Sequence, residues 1–152
     1  MQRINYLYQE IANTILSMIP DEWDKIYLFA EVHEEFSQIF FYYFNSNGDL
    51  IYSLNIPEVY NLDEGSQDEL EFKLGTHVNE LWNVYKDSEL GDWSIMTFIL
   101  NKNGDFKTEF EYVDPDESDA YENAVIWKYK YLGIEASSNR GKEILNKIRD
   151  SK

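Results

Sequence analysis

Ile39-Phe40-Phe41-Tyr42-Tyr43-Phe44-Asn45-Ser46-Asn47-Gly48-Asp49-Leu50-Ile51-Tyr52 reads as two strands and the turn that joins them. Aromatic and branched residues in succession suit a pleated, largely buried surface, and Asn-Gly tolerates the positive φ of a hairpin turn. Working outward, Ile26 to Val32, Phe36 to Phe44 and Leu50 to Leu54 form a meander of three strands. The same grammar recurs further along: Ile95 to Leu100, the turn Asn101-Lys102-Asn103-Gly104-Asp105, then Phe106 to Val113. In that last strand Phe106, Thr108, Phe110 and Tyr112 alternate with Lys107, Glu109 and Glu111, which predicts one wet, acidic face.

Helices flank the two hairpins. Ile4, Leu7, Tyr8, Ile11, Ile15, Met18 and Ile19 recur at helical spacing until Pro20-Asp21 ends the pattern. Asn61 to Ser66 reads as polar loop, and Leu70, Leu74, Val78, Leu81 and Tyr85 mark a second helix, with Gly75 a weak point inside it. Asp114-Pro115-Asp116-Glu117-Ser118-Asp119 breaks the chain and supplies capping carboxylates for a third helix, where Tyr121, Ala124, Val125 and Leu132 share a face and Gly133 is the stop. A basic helix from about Ser138 to Asp150 has Ile144, Leu145 and Ile148 as its apolar anchors. The order α-βββ-α-ββ-α-α predicts an α+β fold: an antiparallel sheet of about five strands with helices on one face. One domain is expected over residues 1–152, with 138–152 a short, loosely held C-terminal helix.

The chain carries 29 acidic against 13 basic side chains, a formal charge of −16. The imbalance is uneven: residues 1–127 hold 26 acids and 6 bases, residues 128–152 hold 3 and 7. Such a field repels nucleic acid and anionic lipid and speeds encounter with basic proteins. Aromatic content of 16% separates the chain from acidic disordered sequences, which are poor in aromatics. The absence of cysteine removes disulfides, thiolate nucleophiles and Cys-based metal sites, and fits a reducing compartment. No basic n-region precedes an apolar segment at the N-terminus, so a cytoplasmic location is expected.

Candidate chemistry is thin. His77 and Glu80 stand at i, i+3 on a predicted helix, a spacing that suits two ligands of one metal but lacks a third. His33-Glu34-Glu35 reads as a polar turn between strands. The acidic stretches Asp63 to Glu71 and Asp114 to Glu122 fail the EF-hand pattern, lacking Gly at the sixth position and Glu at the twelfth. Asn101 to Asp105 resembles half of such a loop, and hairpin chemistry accounts for it. No phosphate-binding loop and no nucleophile elbow are present. Neither a cofactor nor a metal is expected. Trp82, Tyr85, Phe40, Tyr42 and Phe44 read as core. Trp93, after Gly91-Asp92 at a strand entry, reads either as core or as an interface anchor.

Several stretches together carry a whole-chain likeness: Tyr8-Gln9-Glu10-Ile11-Ala12-Asn13, Met18-Ile19-Pro20-Asp21-Glu22-Trp23, Lys25-Ile26-Tyr27 and Ile56-Pro57-Glu58-Val59-Tyr60-Asn61. Further on come Trp93, Phe110-Glu111-Tyr112-Val113-Asp114 and Trp127-Lys128-Tyr129-Lys130-Tyr131-Leu132-Gly133-Ile134. In order and spacing the chain resembles the YezG/EsaG-type antitoxin family, immunity proteins of nuclease toxins exported by type VII secretion. It departs at Asn123, where the resemblance leads one to expect an arginine. The resemblance implies a non-catalytic inhibitor that binds a basic nuclease domain, a partner whose charge an acidic protein complements. The candidate contacts are Glu109, Glu111, Asp114, Asp116, Glu117 and Asp119, with Trp93 and Tyr112 as anchors. Helix capping is the competing reading of the 114–119 run. A carboxylate-based hydrolase and a nucleic-acid mimic acting on a DNA-binding protein are the alternatives from other classes; the first requires a cleft with two converging acids, the second a row of carboxylates spaced like phosphates.

Overall fold

The structure, a computed structural model, describes residues 2–150. These fall into two compact units, with the boundary between Tyr112 and Val113. The first contains α1 (Gln2–Met18), β1 (Trp23–His33), β2 (Phe36–Asn45), β3 (Leu50–Tyr52), the short α2 (Ile56–Tyr60), α3 (Glu64–Asp87), β4 (Ile95–Asn101) and β5 (Phe106–Glu111). Its five strands form one antiparallel sheet in the order β3-β2-β1-β4-β5. The predicted α+β class, antiparallel sheet and element order all hold, with α2 as an addition.

β1 lies at the centre because its two edges serve two hairpins, pairing with β2 from Lys25↔Phe44 to His33↔Phe36 and with β4 from Lys25↔Asn101 to Glu31↔Ile95. Side chains alternate across it, so Ile26, Leu28, Ala30 and Val32 share a face with Phe41, Tyr43, Met96 and Phe98. Against this face pack the apolar stripes of α1 (Leu7, Ile11, Ile15) and α3 (Leu74, Val78, Leu81). Full burial of each such side chain contributes roughly 1.5–3 kcal/mol.

Both hairpins turn by the same device. Asn45 N–H donates to Asp49 O (2.9 Å) and Gly48 N–H to Asn45 O (3.0 Å); Asn101, Asp105 and Gly104 repeat these bonds at 2.8 and 2.9 Å. Among the turn residues positive φ falls on Gly48 (85°) and Gly104 (94°) alone. Each loop therefore has three residues and a glycine bulge, not the two-residue turn with two positive angles. α3 starts at Glu64, earlier than its apolar stripe, because the Asp63 carboxylate caps it by accepting from Ser66 N–H (3.2 Å) and Ser66 Oγ (2.9 Å). Much of the polar stretch read as loop is thus a first helical turn. β3 ends at Tyr52 because Ser53–Asn55 closes into a 3-10 turn.

The second unit holds a 3-10 turn (Pro115–Glu117), α4 (Ala120–Leu132) and α5 (Asn139–Asp150). Gly133 takes φ 68° and ends α4 as expected. α4 buries Ala124, Val125 and Trp127 and α5 buries Gly141 and Leu145, with Ile144 and Ile148 half-buried. Tyr121, placed by the sequence on the apolar face, is exposed: its hydroxyl bonds Ser138 Oγ and the Arg140 guanidinium lies 4.9 Å over its ring. α5 is tied down by Arg140 to Asp119 and by Arg149 to Glu135 (2.9 Å). Among the described residues no helix is long and apolar enough to cross a membrane.

Candidate partner-binding surface

Of the eight candidate contact residues, Trp93, Glu109, Glu111 and Tyr112 lie in the first unit, and Asp114, Asp116, Glu117 and Asp119 in the second. Trp93 is core: it is 0% exposed, with Phe110 tilted against it at 5.5 Å and Tyr85 edge-on at 6.4 Å. Its carbonyl accepts a 2.8 Å bond from Trp82 Nε1. That burial removes it from direct contact and leaves it the role of holding up β5 from beneath.

Glu109 and Glu111 are exposed and project on one face of β5. Glu109 has Lys107 Nζ at 3.7 Å, and Glu111 is fixed through its backbone, its carbonyl accepting from Ser94 N–H (2.8 Å) and Ser94 Oγ (3.1 Å). Tyr112 is 62% exposed, and its ring lies against Gly91, where a Cβ would come within 3.1 Å of Tyr112 Cε1. β5 therefore presents an acidic strand face, and the exposed Tyr112 ring follows just past the end of the strand.

In the second unit the two readings of the acidic run divide residue by residue. Asp114 caps the 3-10 turn by accepting from Asp116 N–H (3.0 Å). Asp119 caps α4 by accepting from Tyr121 and Glu122 N–H (3.0 and 3.1 Å). The Glu122 amide, together with the Arg140 guanidinium, holds the Asp119 carboxyl below the usual carboxylate range. Asp116 and Glu117 are exposed and cap neither element. Asn123 donates to Ser118 Oγ (2.6 Å), which occupies it beside the same cap.

The imidazoles do not assemble a catalytic pair. His77 and Glu80 turn to different partners on α1, Glu10 (3.7 Å) and Arg3. His33 Nε2 lies 2.9 Å from Glu31, which is 1% exposed, while Glu34 of the following turn pairs with Lys86. Among the described residues no group of three or more His, Asp or Glu is placed to hold a metal.

One surface escaped the sequence reading. Phe72 on α3 is 79% exposed beside a groove of about 550 Å³ lined by Ser37, Gly75, Thr76, Asn79, Glu80 and Asn83. The signal was its position: Phe72 falls off the stripe formed by Leu70, Leu74, Val78 and Leu81.

The family model described as "Immunity protein YezG-like" matches residues 4–146 of this chain. An immunity protein YezG of Bacillus spizizenii is 37% identical over 132 residues, covering 84% of this chain and 81% of the relative. An immunity protein YezG of Bacillus subtilis is 34% identical, with 91% and 94% covered. The type VII secretion system protein EsaG of Staphylococcus aureus is 33% identical, with 98% and 96% covered.

Proposed function

Because the chain belongs to the YezG-like immunity protein family, we infer that it protects its own cell by binding a toxin protein directly, and that this toxin is a basic nuclease met in the cytoplasm. Inhibition needs no chemistry from the inhibitor: a protein that covers the cationic surface of a nuclease excludes the polyanionic substrate from it. The observation that carries this reading is where the charge sits. The first unit, residues 1–112, holds 21 acidic and 6 basic side chains, whereas residues 113–152 hold 8 and 7. Acids are equally dense in both, but bases are sparse in the first, so the net negative charge, 6 − 21 = −15 against 7 − 8 = −1, lies on the sheet-bearing unit. There the β5 face with Glu109 and Glu111 supplies an exposed acidic strip, and Tyr112, just past the end of the strand, an exposed aromatic ring of the kind that anchors interfaces. Asp116 and Glu117, free of capping duty, are the contact candidates of the second unit.

The test is titration of the full chain into the nuclease domain of a candidate type VII-secreted toxin from the same cell, with nuclease activity and complex formation read together. Stoichiometric loss of cleavage with formation of a stable complex is expected. Tight binding with undiminished cleavage would leave binding but remove inhibition, and absence of binding would remove the nuclease as target.

A further inference from the structure

Two cavities of the first unit border the same strand edge. β3 pairs with β2 only at Tyr42, Tyr43 and Phe44, so among the described residues no strand lies along β2 from Phe36 to Phe41 on that side. Phe41 N–H points to this side, where Ser53 Oγ accepts it at 3.1 Å. The two-residue period of a strand turns the N–H and C=O of Ile39 and Ser37 the same way. A row of unpaired backbone groups is a template for another extended chain.

α3 supplies a wall opposite this edge. The larger cavity, about 550 Å³, runs from Ser37 past Phe72, Gly75 and Asn79, and a smaller one of about 100 Å³ continues by Ile39 and Phe41 to Ser53 and Glu71. Gly75 keeps the wall low, since a Cβ there would sit 4.0 Å from Ile39 Cδ1 with nothing nearer.

The chemistry of the wall selects a cationic occupant. Asn79 and Asn83 each donate one amide hydrogen back along the helix, to Gly75 O (2.8 Å) and Asn79 O (3.0 Å), and both Oδ1 atoms remain as acceptors. Glu71 has no ion pair among the described residues, and burial followed by the charge of Asp68 raises its carboxyl above the usual range. It is a carboxylate partly withdrawn from water with no cation beside it. Of the cations on α1 and α3, Arg3 is engaged by Glu80 and Lys86 by Glu34, and the exposed Lys73 lines neither cavity. A second copy of this chain, also at −16, would bring like charge to the same edge.

We propose that the β2 edge from Phe36 to Phe41 receives an extended, Lys- or Arg-bearing segment of the partner protein as a sixth strand, its side chains resting on the α3 wall. The proposal rests on the reading that the partner is a basic toxin, and it names the segment conformation that such a partner would present.

The probe is an end-capped ten-residue peptide of alternating Lys and Val, titrated into the full chain while backbone amides are followed by NMR. Saturable shifts are expected at Ser37 and Ile39 and along α3 from Phe72 to Asn83. They should vanish for a Glu-Val analogue and for a Lys-Val peptide N-methylated at every second residue, which keeps the charge and loses the ladder. Ser37→Pro removes an outward N–H that β1 does not use, and about tenfold weaker binding is expected from one lost hydrogen bond. Gly75→Gln fills the groove away from the ladder and should also weaken binding, with a thermal melt confirming its fold. Absence of shifts at millimolar peptide, shifts confined to β5, or equal binding of the N-methylated peptide would each overturn the proposal. So would a dimer of the free chain that Ser37→Pro dissociates, since the edge would then belong to a second copy. With the toxin domain itself, hydrogen exchange should slow at Ser37 and Ile39. An inhibited complex without that protection refutes the sixth strand and leaves the toxin reading intact, whereas a toxin that fails to bind refutes that reading while the peptide result decides the edge.

Discussion

Gly91 meets two demands at once. Its φ of +124° is one that L side chains rarely adopt, and the Tyr112 ring occupies the space a Cβ would fill. Gly91→Ala should lower stability by about 1–3 kcal/mol from backbone strain, and the Tyr112 contact should add to that loss. Gly48, at φ +85° with nothing within 4 Å, isolates the backbone component, and Gly48→Ala should cost only about 1–2 kcal/mol. Urea melts of both variants compare the two; an equal loss would mean that Tyr112 moves aside freely. Four phenols supply a second test. Burial raises Tyr42 to about 12, and Tyr8, Tyr43 and Tyr52 are also raised, in each case first by burial. Tyr8 and Tyr43 are further held neutral by bonds to Tyr85 (2.7 Å) and Tyr60 (3.1 Å). A folded-state pKa above the unfolded value of about 10 favours the folded protein fully below pH ~10, and the advantage is lost as pH rises towards ~12. Tyrosinate absorbance and near-ultraviolet circular dichroism should therefore share their last alkaline step. A tyrosine titration complete before any loss of tertiary signal would contradict this.

At the scale of elements, β5 and the cap of α4 separate contact from architecture. Glu109→Gln with Glu111→Gln should leave the melting temperature within about 1–3 °C of the parent, since exposed substitutions change stability by at most ~0.5 kcal/mol, and should slow association with the toxin. Asp116→Asn with Glu117→Gln should behave likewise, whereas Asp119→Ala should lower the melting temperature by removing two capping bonds and the partner of Arg140. Calorimetry of the free chain and association kinetics read the two effects apart; an unchanged melt for Asp119→Ala would show that the cap carries no weight. The hairpins were legible because the Asn-Gly pairs and the aromatic runs act locally. The two roles inside Asp114–Asp119 were not, because which carboxylate reaches an amide depends on the backbone angles of the turn. Trp93 was ambiguous for a related reason: a Trp beside Gly-Asp at a strand entry fits both a surface anchor and a core residue, and only the placement of Tyr85 and Phe110 around it decides. The groove along β2 was invisible in the sequence, since it exists only because β3 stops after three residues.

For the whole molecule, charge is the property that acts at a distance. With 21 acids against 6 bases in residues 1–112, encounter with a basic partner should be steered. Raising salt from about 10 to 150 mM shortens the screening length from roughly 30 to 8 Å and should slow association about tenfold or more, with little change in dissociation. A salt-independent association rate, measured by stopped flow, would refute steering and locate the affinity in apolar contacts. The central place of β1 has a different consequence, in time. Its partner on one side, β2, follows it after a two-residue turn, but on the other side Leu28 meets Phe98, 70 positions further along the chain. During synthesis the first hairpin can close at once, while the far edge of β1 stays unpaired until the ribosome has delivered β4. Contacts of such long sequence separation slow folding, and an exposed central edge attracts other chains meanwhile. A nascent chain arrested before Ile95 would present the sheet's middle strand as its rim, so prompt delivery of β4, as much as the finished sequence, guards this protein from aggregation.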